Sequence, residues 1–173
     1  MDFSVAFVEL RDRMLTGQDK QFIHRQNAEV AGRTAALLSC FSVSAERKLL
    51  GVMPTGGVSH AHEYRLLFAV PVLGERELDD WWRYALAAED ELVQADASHE
   101  FSIVSVILAT GEVDKAVQKK LKRFSGERRY GGGQNGWSSV RLAAVDLTEN
   151  KAHTNRMGEP LKNVLKPILQ KNT

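Results

Sequence analysis

The run Phe101-Ser102-Ile103-Val104-Ser105-Val106-Ile107-Leu108-Ala109-Thr110 carries no charge and is apolar at odd and even positions alike. A strand with one wet face alternates, whereas a strand buried on both faces does not. The run therefore predicts a central strand covered on two sides, and its neighbours supply the cover. Upstream, Leu78, Trp81, Ala85, Ala88 and Leu92 recur at helical steps, widened by Trp82, Leu86 and Val93. Glu75, Glu77, Asp79 and Asp80 crowd the first turns of that helix, where carboxylates favour the positive end of the dipole. Downstream, Val113, Val117, Leu121 and Phe124 mark a shorter helix that Gly126 can end. Tyr64–Leu73 and Trp137–Leu147 read as further strands. Pro160 opens a last helix carrying Leu161, Val164, Leu165 and Ile168, which Pro167 is expected to kink or split.

From residue 64 onward the order is strand, helix, strand, helix, strand, helix. Such alternation predicts an α/β fold, a mostly parallel or mixed sheet flanked by helices and joined by right-handed crossovers. The alternative is an α+β fold with an antiparallel sheet, because the chain before residue 64 can pair as a hairpin. The N-terminal portion reads as helical. Phe3, Phe7, Leu10 and Met14 share one helix face ending at Gly17, and Asp19 can cap a second helix with Phe22, Ile23 and Val30. Residues 34–50 fit helix and strand, with a strand near 35–44 favoured. Pro54-Thr55-Gly56-Gly57 reads as a loop. No linker or repeat divides the chain, so residues 1–173 are expected to form one domain.

Composition narrows the function classes without naming one. Apolar residues make up 43% and charged residues 26%, the balance of an ordinary soluble globular protein. A single cysteine, Cys40, excludes an intrachain disulfide framework and a multi-cysteine zinc module, and it fits a cytoplasmic location. No apolar run reaches the ~18 residues of a membrane span, so no membrane partner is expected. Charge is unevenly placed: residues 74–100 carry net −7 and residues 111–173 net +7, on a chain of net +1. Lys115, Lys119 and Lys122 recur at steps of four and three, flanked by Lys120 and Arg123 and followed by Arg128 and Arg129. A stripe of this kind suits phosphate backbones or an acidic protein face, and these six residues (Lys115, Lys119, Lys122, Arg123, Arg128 and Arg129) are the expected binding set.

Other constellations are weaker. In an open parallel sheet ligands gather beyond the strand carboxyl ends, which here carry Thr110, Gly111 and Asp146. The glycine-rich run Tyr130–Trp137 matches neither phosphate-loop pattern and reads as a flexible connection. His60 and His62 face one side of any strand but lack an evident third ligand, so no metal is assigned. Glu46-x-Lys48 resembles the end of a metal-dependent nuclease motif without a placed upstream aspartate. With no catalytic motif and no cofactor fingerprint, the expected function is that of a binding or accessory subunit, partnered by protein, itself or nucleic acid. The alternative is a small enzyme acting on a phosphorylated or nucleic-acid substrate.

Overall fold

The computed structural model describes residues 2–170. Helix α1 (Phe3–Gly17) starts at Asp2, whose carboxylate accepts the N–H groups of Ser4 and Val5. Strands β1 (Ile23–Val30), β2 (Arg33–Leu49) and β3 (Met53–Ala69) follow as an antiparallel meander. The β1–β2 connection is the pair Ala31-Gly32, both at positive φ, the tight turn whose twist matches the strands it joins. Next come α2 (Glu75–Leu92), β4 (His99–Thr110), α3 (Lys115–Leu121), β5 (Glu127–Arg129), β6 (Trp137–Asp146), β7 (Lys151–Thr154) and α4 (Glu159–Leu169).

The sheet is mixed and mostly antiparallel, in the order β1-β2-β3-β4-β6-β5, with β7 also on β6. Only β3–β4 and β4–β6 are parallel pairs among the described residues. The expected mostly parallel α/β sheet is therefore corrected. Crossover helices do join β3, β4 and β6, but the sheet gains its other strands from hairpins. The supposed second N-terminal helix is β1, an edge strand whose side chains are mostly exposed and so carry little periodic signal. Pro54 to Gly57 lie inside β3 rather than in a loop, and the real turn is Leu50-Gly51-Val52, with Leu50 and Gly51 at positive φ. Helix α4 runs without interruption through Pro167.

Directly paired residues share a face, so the registers sort the side chains. On one face α2 and α3 cover Leu38, Leu66, Val104, Val106, Leu108 and Leu142. Trp81 packs on Phe68 and Tyr84, and Trp82 stacks on Phe124 with ring centres 4.9 Å apart. On the other face α1 and α4 cover Leu37, Leu67, Ile107 and Ala143. That second cover is short: the cluster under α1 and α4 stops at Leu37, Leu67, Ile107 and Ala143, and the half of the sheet nearer the amino ends of β4 and β6 lies outside it, although Ser105 and Ser139 there are buried.

Strands β2 and β3 outrun the sheet. β1 leaves β2 at Cys40, and β4 first meets β3 at His60, so residues 45–59 form a two-stranded arm whose strands pair only with each other. Arg47 ties its base to the Ala97 carbonyl, and Ser59 to the Glu100 carboxylate. Its tip exposes Leu50, Val52 and Met53. No helix among the described residues is long and apolar enough to cross a membrane.

Candidate functional site

The anticipated basic stripe is partly spent inside the molecule. Helices α2 and α3 lie on the same face, so the acidic and basic segments meet. Lys120 Nζ sits 2.5 Å from Asp79, and Arg128 pairs with Asp90. Arg128 Nε also lies 3.1 Å from Oε2 of Glu89, whose side chain is fully buried. Lys115, Lys119, Lys122 and Arg123 remain exposed along α3, while Arg129 stands on β5 opposite Trp137. The α3 lysines therefore face away from the half of the sheet outside the α1–α4 cover.

The strand-end residues are occupied as well. Both oxygens of Asp146 accept backbone N–H groups, Oδ2 from Val113 and Oδ1 from Thr148 and Glu149. Thr110 hydroxyl reaches the Pro71 carbonyl, and Gly111 accepts from Thr148. Asp146 thus staples the β4–α3 connection to the β6–β7 turn. His60 and His62 bond to Ser44 and Ser42 across the β2–β3 ladder. Burial, and then the neighbouring His99 and His60, push the His62 pKa down. Among the described residues no group of three or more His, Cys, Asp or Glu is arranged to hold a metal. Glu46 and Lys48 flank a bulge in the arm. Cys40 is half-buried, and burial raises its thiol pKa. The glycine run is held by several bonds: Tyr130 hydroxyl meets Ser138, Asn135 donates to Ala95, and His99 bonds the Asn135 carbonyl.

The half of the sheet outside the α1–α4 cover carries a constellation that sequence reading did not find. Its first row crosses five strands in register: His24, Ser39, Arg65, Ser105 and Arg141. At one end the row is satisfied. Arg65 donates to Gln18 and Glu63 and lies under the Phe22 ring, while Gln18 and His24 both bond Ser39. At the other end it is not. Ser105 Oγ, Ser139 Oγ and Arg141 Nε are buried and lack a hydrogen-bond partner. Ser105 pairs with Arg141 across β4–β6, and Ser139 lies two residues before Arg141 on the same strand face. Arg141 makes no ion pair among the described residues. Burial pushes its pKa down; nearby Glu63 opposes that, and Arg65 adds to it.

Three unpartnered donors, one of them a guanidinium, converge on one patch of a sheet. Native proteins leave few buried polar groups unmade, since each costs ~1–3 kcal/mol. A fork of N–H groups flanked by hydroxyls suits an anion such as a phosphate or carboxylate. The signal in sequence was faint: Ser139-x-Arg141 alternates with Val140 and Leu142, as on a strand with one polar face, but Ser105 is brought beside it only by the β4–β6 register.

No curated protein and no solved structure shows significant similarity to the chain. One family model does match, over residues 9–167, a span running from α1 into α4 and enclosing Ser105, Ser139 and Arg141. By that match the chain belongs to the family described as a domain of unknown function, DUF8052.

Proposed function

We propose that this protein is a binding module whose ligand presents an anionic group to the half-buried Arg141, with Ser105 and Ser139 beside it, on the half of the sheet outside the α1–α4 cover. The observation that carries this reading is the set of three adjacent buried donors without partners. Internal ion pairing with α2 supports it too, because that pairing commits the charges of Lys120 and Arg128 to Asp79 and Asp90. Part of the row is already rigid, since Gln18, Glu63 and Phe22 fix Arg65 beside the site. A ligand anion would supply what the fold leaves open, at little cost in ordering.

The test uses pyrophosphate as a probe in NMR titration of the full chain. It should shift the Arg141 Nε–H and the Ser105 and Ser139 amide signals, saturably. Arg141→Gln should abolish the shifts, whereas Arg156→Gln, at an exposed arginine in the short turn before α4, should leave them intact. Shifts that are absent, or that survive Arg141→Gln, overturn the reading.

A further inference from the structure

We infer that the ligand of this face is single-stranded nucleic acid, an inference that rests on the anion site proposed above. Four residues before Arg141 on β6, on the same face, stands Trp137, 40% exposed. Its β4 partner in register is Phe101, half-buried and stacked on it at 5.2 Å and 17°. Exposed Trp is uncommon on a monomer surface unless the ring has work to do. Stacking covers one face of each ring and leaves the other, so Trp137 keeps an outer face beside a cation, the combination on which unpaired bases stack.

Arg129 is exposed and pairs directly with Trp137 on β5. The face thus runs from one arginine, past an aromatic pair, to another. Four strand residues span ~13 Å at ~3.3 Å each. That length exceeds one nucleotide at a rise of ~3.4 Å, so a strand lying along β6 can meet both cations. Beside this track, at the β5–β6 edge, a cavity of about 370 Å3 is lined by Glu127, Arg128, Arg129, Gly136, Trp137 and Ser138 among others. It falls within the size range of small-ligand pockets and can receive a base turned out of the strand.

Charge count favours a single strand over a duplex. Duplex binders neutralise many phosphates at once, whereas this face offers Arg129 and Arg141 with Glu127 and Glu63 nearby. Binding must lean on stacking, which needs unpaired bases. Two neutralised phosphates give a log–log salt slope of about −1.4 for a single strand.

The experiment is fluorescence-anisotropy titration of a labelled ten-residue thymidine oligonucleotide with the full chain, against its duplex, pyrophosphate and poly-glutamate. The expected result is binding of the single strand, weaker binding of the duplex, and a slope near −1.4. Trp137→Ala should weaken it at least ~5-fold, the lower end for one lost base stack, and Trp137→Phe should restore most of it. Arg141→Gln should weaken it and flatten the slope by ~0.7. The triple change Lys115→Glu, Lys119→Glu and Lys122→Glu, on the opposite face, should leave it intact. Unfolding midpoints must match throughout, which an exposed tryptophan permits. If pyrophosphate binds but the oligonucleotide binds no tighter and ignores Trp137→Ala, this inference falls while the anion site stands. Failure of both probes defeats both. Loss on the lysine triple, or equally tight poly-glutamate binding, overturns the nucleic-acid assignment.

Discussion

Replacing Asp146 by alanine should destabilise the protein severely, and the structure sets the size of the loss. The carboxylate is buried at the end of β6 and accepts from Val113 at 3.0 Å, Thr148 at 2.9 Å and Glu149 at 2.7 Å. The Val113 N–H is buried, so orphaning it costs the full ~1–3 kcal/mol. The other two are part-buried, where water can replace the carboxylate, and each contributes ~0.5–1.5 kcal/mol. The total is ~2–6 kcal/mol, a large share of the ~5–15 kcal/mol that holds a domain together. In urea unfolding followed by tryptophan fluorescence, with a slope of ~2 kcal/mol per molar, the midpoint should fall by ~1–3 M. Asp146→Asn keeps one acceptor oxygen. It should retain the Thr148 and Glu149 bonds, turn an amide toward Val113, and lose ~1–3 kcal/mol. A midpoint for Asp146→Ala within ~0.3 M of the unmodified protein would refute the stapling role and reopen Asp146 as a ligand group.

Gly126→Ala would set a methyl 3.0–3.2 Å from the Trp82 ring and Val140, so it should cost ~1–3 kcal/mol in the same assay; a neutral result would mean the ring shifts freely. Gly136, at φ +73°, has no room for a Cβ against the Glu100 carbonyl. Gly136→Ala should therefore loosen the 130–136 connection, seen as faster amide exchange there than in the parent. Burial pushes the Glu89 pKa up, against the Ser138 hydrogen bond and Arg128. The folded state then holds that proton more tightly than the unfolded chain, so this group's contribution falls as pH rises from the ordinary glutamate range through the raised folded value. Glu89→Gln should flatten the decline over that window, and parallel pH profiles for parent and variant would contradict the assignment. Tyr84→Phe removes the 2.9 Å bond to the buried Val30 carbonyl and should cost ~1 kcal/mol, read as a lowered melting temperature.

The elements that sequence reading placed well are those with one strong period and a core behind it. Helix α2 carries a wide apolar stripe, and β4 is apolar on both faces, so their limits emerge within a few residues. Residues 19–30 and 54–57 misled for a physical reason. An edge strand and a free arm have no core to impose alternation, so Pro54, Gly56 and Gly57 read as breakers even though a strand open on one edge tolerates them. The short β7, Lys151-Ala152-His153-Thr154, gives no pattern at all. The net charges of the segments were legible, but not that α2 and α3 share a face, and that placement neutralises Lys120 and Arg128. Arg141 was invisible as a site residue because its significance is relational. Only strand register sets it beside Ser105, and only the short reach of α1 and α4 leaves the patch unfilled.

The arm formed by residues 45–59 has a consequence for how this family can vary. Its strands answer only to each other, so a residue pair can be added or deleted symmetrically about Leu50-Gly51-Val52 without changing the register of Leu37 on Leu67 or of any row below it. An unpaired insertion has to be absorbed locally, and the bulge between Glu46 and Lys48 already does this within the arm. Length in this region is therefore nearly uncoupled from the core.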